Sequence, residues 1–498
     1  MALLPILRSS VRRRLVSSLL SAVAASSVLT ATADVRADER VTRELNQLES
    51  VSKDNTAWRG LFDAYLDMTP CPQAIGADFN QVDVWPKMTG WAPIADWAAT
   101  NDHVGDALKE AAEKIVIGLP YGADARDLTQ KYRDAGLVAE VRIGDEGELT
   151  IDFSYLQAFR VFSTWTAAEM YRRFEKGEYT EGFDAAIANA RVLRMLCDRH
   201  MRAEKSEAIV MLSDALSIMR DAMYAYVEKI PAEEFKRVSK NELPYLKTAD
   251  AERVKRLQMP EGDRIVIEVL LEELFYGGST PDPQRLASVF GAIQSQSKPL
   301  TRFGASKRWE RIASVHGSLD ASKEKLTNVY DDWWRRWRIR PYDPIQNVPT
   351  EFSKLNEVRY AIIAESISDL QSLFDLRNRL IVEINGTILG AGLCGYHAEF
   401  GTWPRDREMA YAIFIPKRFD FDPFDKGYGR FLWDYLGSRS RAVDTDYGRI
   451  DIDECVLYAR GRDHEDSSFQ EASLDGLTGD MIVWPPLRQL AREQGVID

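Results

Sequence analysis

The sequence predicts a mainly α-helical protein, a helical-hairpin bundle or short solenoid, with a small C-terminal α+β module of one long helix and short antiparallel strands. Two patterns predict the helices: residues 155–229 hold three consecutive amphipathic segments, and residues 353–384 hold a longer one. A third pattern predicts the module, because the short apolar runs at 456–458 and 481–483 are flanked by acidic loops.

The strongest helical pattern lies between residues 155 and 229. In its first segment apolar residues keep one face until Gly177, which we expect to end the helix, and Pro231 follows the third segment. The third segment carries a heptad of Ala208, Leu212, Ala215, Met219, Ala222 and Tyr226. Because spacings of four and three place these residues on one seam, and small residues alternate with large ones, a neighbouring helix can approach closely.

Residues 34–154 form a mixed segment before this body. Helical spacing is predicted across residues 40–70 and 103–117. Between them and the body, residues 137–153 alternate apolar and polar side chains around Asp145-Glu146-Gly147, which is typical of a β-hairpin.

The helical body is predicted to span residues 155–340, with later helices at 284–294 and 307–339. The prolines of Arg340-Pro341-Tyr342-Asp343-Pro344 then break the chain, and residues 350–498 form the C-terminal helix and tail. Asn385-Gly386 fits either a hairpin turn or an interruption in a helix. We expect the helix to continue through it to Cys394.

Composition narrows the class of protein. The 498 residues are 45% hydrophobic and 28% charged, which suits a globular chain of several domains. A formal charge of −13 argues against nucleic-acid binding, which needs a basic face. The four cysteines, Cys71, Cys197, Cys394 and Cys455, are too widely spaced for a zinc knuckle. Buried free thiols are the simplest interpretation, and a disulfide between some pair stays open.

The N-terminus has the pattern of an export signal. Four arginines precede an apolar run over residues 15–29, and Ala31-Thr32-Ala33 supplies a small-residue cleavage pattern, with Val35-Arg36-Ala37 as a second option. Residues 1–33 are therefore predicted to be a signal peptide, and the mature protein to be secreted or periplasmic. No later segment is apolar enough to predict a membrane span.

The sequence contains no short motif of a known catalytic or phosphate-binding site. The tryptophans between Trp333 and Trp337 have arginine neighbours and fit the edge of a core with cation–π contacts better than a sugar platform. The acids between Asp444 and Glu454 fit an exposed hairpin tip, since their spacing differs from that of an EF-hand loop.

Asp463 and Asp480 are the candidate metal ligands, with Asp466 as a helper. Both lie beside a predicted strand, so pairing of the two strands would bring the acids together. Carboxylates and backbone carbonyls are the ligands that calcium prefers, and exported proteins meet millimolar calcium. The alternative is that these acids only solvate a loop.

The tail resembles the soluble head of the major pseudopilins of type II secretion. The residues that carry this resemblance are Tyr396, Gly401-Thr402-Trp403-Pro404, Asp422-Pro423-Phe424, Leu457 to Asp463 and Asp480 to Trp484. In that family the acidic loop binds calcium, and the resemblance transfers the ligand role to Asp463 and Asp480. His464 replaces a loop glycine of the family, and Ser467-Ser468 stand where glycines are usual. The family's N-terminal processing site is absent, so the chain is not itself predicted to be a pilus subunit.

The helical body is similar to a planctomycete-type family of large exported helical proteins with no assigned activity. Gly177, Ala185, Leu193, Leu196 and the helix at 204–229 carry this likeness. The helix-hairpin composition, the export signal and the lack of a catalytic motif lead us to expect a non-enzymatic binding or scaffold protein of the cell envelope, with an unidentified envelope partner. Two alternatives are a secreted hydrolase that uses a pair of carboxylates, as glycosidases do, and an accessory component of a secretion apparatus.

Overall fold

The computed structural model describes residues 34–72, 81–122, 125, 127–144, 148–246, 257–297, 305–427, 429–474 and 476–497. The described chain is mainly helical, with a small antiparallel sheet near its C-terminus. Both features confirm the predicted fold class at this level. The predicted signal peptide, residues 1–33, lies outside the described residues. No described helix is both long and apolar enough to cross a bilayer.

The N-terminal third holds short helices and one hairpin. The helices are α1 Asp34–Leu48, α2 Trp58–Asp67, α3 Trp91–Thr100, α4 His103–Ala112 and α5 Gln130–Asp134, and the strands are β1 Glu140–Ile143 and β2 Leu149–Asp152. β1 and β2 pair antiparallel, with Val141 opposite Ile151, which confirms the predicted hairpin.

The body holds the longest run of helices. These are α6 Leu156–Glu175, α7 Tyr179–Leu196, α8 Arg202–Ala225, α9 Ala232–Arg237, α10 Gly262–Phe275, α11 Pro283–Ser297, α12 Ala305–Val315 and α13 Leu319–Trp337. Gly177 ends α6 with a φ of +79°, a left-handed conformation that glycine adopts without steric cost. The predicted helix at 307–339 is instead two helices, because Ser318 begins α13 by accepting the backbone N–H of Ala321 at its side chain.

The C-terminal segment contains the helices α14 Ala361–Ser366, α15 Gln371–Phe400, α16 Glu408–Tyr411 and α17 Leu487–Glu493, and the strands β3 Leu432–Thr445, β4 Gly448–Ala459 and β5 Met481–Trp484. The sheet order is β3-β4-β5, antiparallel throughout. The long helix begins at Gln371, so its predicted start near residue 353 was wrong. It runs through Asn385-Gly386 as expected and ends at Gly401.

The chain divides into two compact units. The first contains α1, the β1–β2 hairpin and residues 265–322, with α1 packed on β1 and α11 on α12. The second contains residues 49–119, 156–264 and 323–498. There α8 contacts α6, α7 and α15, and the C-terminal strands and α17 pack beside them. Residues 156–264 and 323–340 of the helical body therefore lie in the same compact unit as the C-terminal tail.

Several features assigned from sequence lie where they were predicted. Trp333 and Trp337 are buried, and the guanidinium of Arg377 lies 4.8 Å from the ring centre of Trp337, as expected for a core edge. The acids between Asp444 and Glu454 surround the β3–β4 turn, where Thr445 pairs with Gly448. Cys197, Cys394 and Cys455 are buried and Cys71 is partly buried, and the structure has all four in the reduced form.

Candidate functional site

Three loops of the second unit meet beyond the end of β4. They are the turn after Asp422-Pro423, the loop that follows Ala459, and the chain that enters β5 at Asp480. The backbone N–H of Arg460 donates to Asp422 Oδ2 at 2.9 Å, and His464 Nδ1 lies 2.8 Å from the carbonyl oxygen of Phe424. These bonds join the turn to the loop, so the sequence motifs noted above form one structural region.

Asp480 organises the loop from a fully buried position. Its Oδ2 accepts hydrogen bonds from Ser467 N at 3.1 Å, Ser467 Oγ at 2.7 Å and Phe469 N at 2.8 Å. Its Oδ1 is also buried but has no hydrogen-bond partner. Burial raises the pKa of Asp480, the bonds from Ser467 and Phe469 oppose this, and the charge of Asp466 raises it further. One carboxylate oxygen is thus satisfied and the other is not.

Asp463 and Asp466 hold the same loop with their carboxylates. Asp463 Oδ1 accepts the N–H of Glu465 at 3.0 Å, and its Oδ2 accepts the N–H of Gly479 at 3.1 Å. Asp466 Oδ1 accepts the N–H of Ser468 at 2.8 Å and the hydroxyl of Tyr458 at 3.3 Å. Each carboxylate therefore stabilises the local backbone, as Asx-turn residues do.

The backbone of this loop is strained at non-glycine residues. His464, Ser468 and Phe469 have φ values of +62°, +53° and +49°. This left-handed region costs other L-residues free energy, whereas glycine adopts it freely. His464 and Ser468 thus adopt a backbone conformation that is typical of glycine. Such strain is concentrated at functional sites in many proteins.

Asp422 and Asp425 form the second part of the site. Asp422 is fully buried, and burial raises its pKa from 3.8 to about 7, against the opposing effect of its bonds to the N–H groups of Arg460 and Phe424. The nearby charge of Asp425 also raises this pKa. Asp425 itself forms an ion pair with the Arg460 guanidinium. A carboxyl that is half-protonated near neutral pH therefore lies beside one that is paired.

An open cleft of about 450 Å³ lies above these residues. Its lining consists of Asp425, Lys426, Gly427, Arg460, His464, Glu465 and Asp466. Both signs of charge are present, and Lys426 Nζ lies 3.5 Å from Glu465 in an exposed pair. Neither Asp463 nor Asp480 lines the cleft. The cleft could take a small polar ligand with both acidic and basic groups.

The structure brings the three predicted ligands into one loop without arranging them as a metal centre. Asp463 reaches the residue before Asp480, and Asp466 is close enough to Asp480 to affect its pKa. Within the described ranges, no group of three or more His, Cys, Asp or Glu side chains has the spacing of a metal site. Calcium binding by these residues stays a prediction.

The sequence places Asp422 and Arg460 within motifs of the tail but indicates no role for either. The usable signal was the Asp-Pro turn, because aspartate before a turn accepts local N–H bonds. Asp425 and His464 had no such signal, since their partners are Arg460 and the Phe424 carbonyl, across a chain separation of 35 residues or more.

A second charged cluster lies inside the helical body and fits a structural role. Arg199, about 1% exposed, pairs with Glu204 at 3.1 Å and Glu49 at 2.9 Å. Lys205 is also fully buried, and burial lowers its pKa to about 8 while its ammonium donates to the Cys197 carbonyl. Its charges are paired or hydrogen-bonded, which is the usual condition for buried ions.

Comparison of the chain with models of protein families, with curated proteins and with solved structures gives no match to any of them.

Proposed function

We propose that this protein is an exported, non-enzymatic binding or scaffold protein of the cell envelope. We infer that its body is a helix bundle centred on α8 rather than a solenoid, and the contacts of α8 with α6, α7 and α15 support this. The export part of the proposal depends on the signal pattern in residues 1–33. Determining the N-terminus of the mature protein tests it: we expect Asp34 or Asp38 to come first, and an intact Met1 in the cell envelope would contradict cleavage.

Within this proposal, the C-terminal loop is a calcium-responsive element. The observation that carries it is the unpartnered, buried Oδ1 of Asp480. A buried carboxylate oxygen without a donor is unfavourable unless a proton or a cation satisfies it. The charge of Asp466 acts on the same carboxyl, and its sign favours a divalent cation between the two. Asp463 would also bind the cation, through the lone pairs that remain after each of its oxygens accepts one backbone N–H group.

The melting temperature with added calcium and with a chelator tests this element. Calcium at a hundredfold excess over its dissociation constant stabilises the folded state by about 2.7 kcal/mol. We expect a rise in wild type, none in Asp480→Asn, and an unchanged rise in the exposed-strand control Asp453→Asn. If the melting temperature of wild type responds to lower pH but not to calcium, a proton satisfies Asp480 and calcium binding is rejected. The scaffold proposal does not depend on that result.

One observation favours the alternative of a secreted hydrolase. Asp422 and Asp425 are neighbouring carboxyls whose environments differ, as in acid–base pairs. Asp422, however, has no exposed surface, and both of its oxygens accept backbone N–H groups. The carboxyls that line the cleft, and that a substrate could reach, are Asp425, Glu465 and Asp466. Hydrolysis of a glycoside panel that is lost in both Asp425→Asn and Asp466→Asn would favour this alternative over the binding role.

A further inference from the structure

Cys394 and Cys455 lie on two elements of the second unit that pack against each other. Cys394 is in α15 and is fully buried, whereas Cys455 is in β4 and is 2% exposed. α15 contacts both β4 and β5. The two residues are 61 positions apart in sequence, so the packing of α15 against β4 determines how close they lie.

The face of α15 that carries Cys394 is directed at the sheet. Gly390 and His397 lie four before and three after Cys394, which puts all three residues on one helix face. A Cβ atom at Gly390 would lie 3.3 Å from the Trp484 indole. The His397 ring stacks on the Trp403 ring, with centroids 4.4 Å apart. Cys394 therefore lies between a contact to Trp484 and a contact to Trp403.

The same two tryptophans flank Cys455 from the other side. Trp403 Nε1 donates to Glu454, the residue before Cys455, at 2.5 Å. Trp484 pairs with Leu457, two residues after Cys455. Both thiols thus lie between Trp403 and Trp484.

The alternation of β4 sets the direction of Cys455. Val456 and Tyr458 belong to the apolar core that the sheet shares with α17. Neighbouring side chains on a strand point to opposite faces, so Cys455 and Leu457 point away from that core. The electrostatics agree with this placement. Burial raises the pKa of Cys455, and the effects of Glu454 and of Cys394 raise it further, so Cys394 lies near enough to influence Cys455.

The other two cysteines have different surroundings. Cys197 is buried at the end of α7, and its pKa, about 12, reflects burial first and then the charges of Arg194, Lys205 and Asp198. Cys71 is only partly buried, and burial raises its pKa to about 11.

We propose that Cys394 and Cys455 form a disulfide in the mature protein and thereby join α15 covalently to β4, while Cys71 and Cys197 stay thiols. The proposal rests on export, because oxidising compartments preserve disulfides and the cytosol does not. Since both thiols are buried in the folded protein, the bond forms during folding and is then protected from reduction.

The chemistry is thiol–disulfide exchange with an oxidised disulfide donor such as glutathione disulfide. One cysteine thiolate attacks a sulfur of the donor and displaces one glutathione thiolate, which gives a mixed disulfide. The second cysteine thiolate attacks the protein sulfur of that mixed disulfide and displaces the other glutathione. The two cysteines lose two electrons and two protons. The glutathione disulfide takes up both the electrons and the protons and is released as two glutathione thiols.

Refolding of the purified full chain in a mixture of reduced and oxidised glutathione tests the pairing. The product is denatured, alkylated and mapped by peptide mass spectrometry without reduction. We expect alkylated Cys71 and Cys197, and one linked peptide pair with Cys394 and Cys455 that is lighter by two hydrogen atoms than the free peptides. Four alkylated cysteines, or a link between any other pair, would overturn the proposal.

Variants separate the bond from the packing of the side chains. A reductant that is present during heating reaches the bond as the chain unfolds, so it should lower the melting temperature of wild type and of Cys71→Ala/Cys197→Ala and leave that of Cys394→Ala/Cys455→Ala unchanged. An equal response of all three proteins argues against the bond. The thiol count of protein isolated from cells then tests export separately: a pair that forms in refolding, but is reduced in cells, contradicts export and leaves the pairing intact.

Discussion

Arg488 of α17 and Asp221 of α8 form a buried ion pair, with Arg488 Nε 2.6 Å from Asp221 Oδ2. Their side chains are only 10% and 1% exposed. Arg488 Nη2 also donates to Ser217 Oγ at 3.1 Å, and Arg492 Nη1 lies 3.9 Å from the same carboxylate. The last helix of the tail is therefore held by charge on the central helix of the body.

Removal of one partner of this pair should strongly destabilise the protein. Asp221→Ala leaves the Arg488 guanidinium buried without its counter-ion, which costs about 3–5 kcal/mol in comparable proteins. The free energy of unfolding from urea denaturation measures the effect. The exposed pair Arg160–Glu207 supplies the control, since Arg160→Ala should cost about 0.2–1 kcal/mol. An equal loss of unfolding free energy in the two variants would mean that burial does not make the Arg488–Asp221 pair more important for stability than an exposed pair.

Substitution of alanine for two helical glycines should have opposite effects on stability, because Gly386 of α15 packs closely on β5 and Gly60 of α2 is in open space. A Cβ atom at Gly386 would lie 2.8 Å from Val483 Cγ1, so Gly386→Ala should reduce the free energy of unfolding by about 1–3 kcal/mol. Gly60 in α2 has no atom within 4 Å of the same position. Gly60→Ala should therefore stabilise the protein by about 0.5–1 kcal/mol, because alanine favours helix. Thermal unfolding shows whether each variant is more or less stable than wild type. If both variants are stabilised, β5 can move away from α15 at little cost in free energy.

The two serines of the C-terminal loop should also respond in opposite directions. Ser468 is exposed and has a φ of +53°, so Ser468→Gly should relieve strain and stabilise by roughly 0.5–1 kcal/mol. Ser467 is not in that backbone region, and its hydroxyl donates to Asp480 at 2.7 Å. Ser467→Gly should therefore destabilise by roughly 1.5–3 kcal/mol, the value of a hydrogen bond to a charged group. Urea denaturation compares them, and a loss in both variants would contradict strain at Ser468.

Local patterns predicted much of this fold. Four of the six residues of the heptad predicted for α8, Ala208, Leu212, Met219 and Ala222, are buried, whereas Ala215 is half-buried and Tyr226 follows the end of the helix. The start of α15 could not be predicted in the same way. The Asp369 side chain accepts the N–H of Gln371 at 3.3 Å and the hydroxyl of Thr350 at 2.7 Å, and these local bonds favour a break in an otherwise helical pattern.

The candidate site was predictable only in part, for a physical reason. Asp463 and Asp480 stand out because acids beside apolar strands are visible in sequence. Asp422 becomes unusual only through burial, which depends on the loop that covers it and on Arg460, 38 positions away. Such burial results from packing between segments that are distant along the chain, and no short sequence pattern predicts it.

Asp422 predicts a pH dependence with a definite sign. Its pKa is about 7 in the folded protein, against an ordinary value of 3.8, so the folded state holds the proton more tightly than the unfolded chain. This contribution to stability is complete below about pH 4 and is lost as the pH rises toward 7, with a slope of at most about 1.4 kcal/mol per pH unit. Above pH 7 the carboxylate is charged in both states, and the dependence ends.

Asp422→Asn isolates this carboxyl from all others that titrate. Asparagine keeps an acceptor oxygen for one of the two N–H donors and carries no charge, so its variant should lack the loss between pH 4 and 7. The measured quantity is the difference in free energy of unfolding between wild type and variant, taken by urea denaturation at several pH values. We expect wild type to lose stability relative to Asp422→Asn as the pH rises. A wild type that gains stability over the same range would show that the hydrogen bonds from Arg460 and Phe424 outweigh burial, and that Asp422 is ionised throughout.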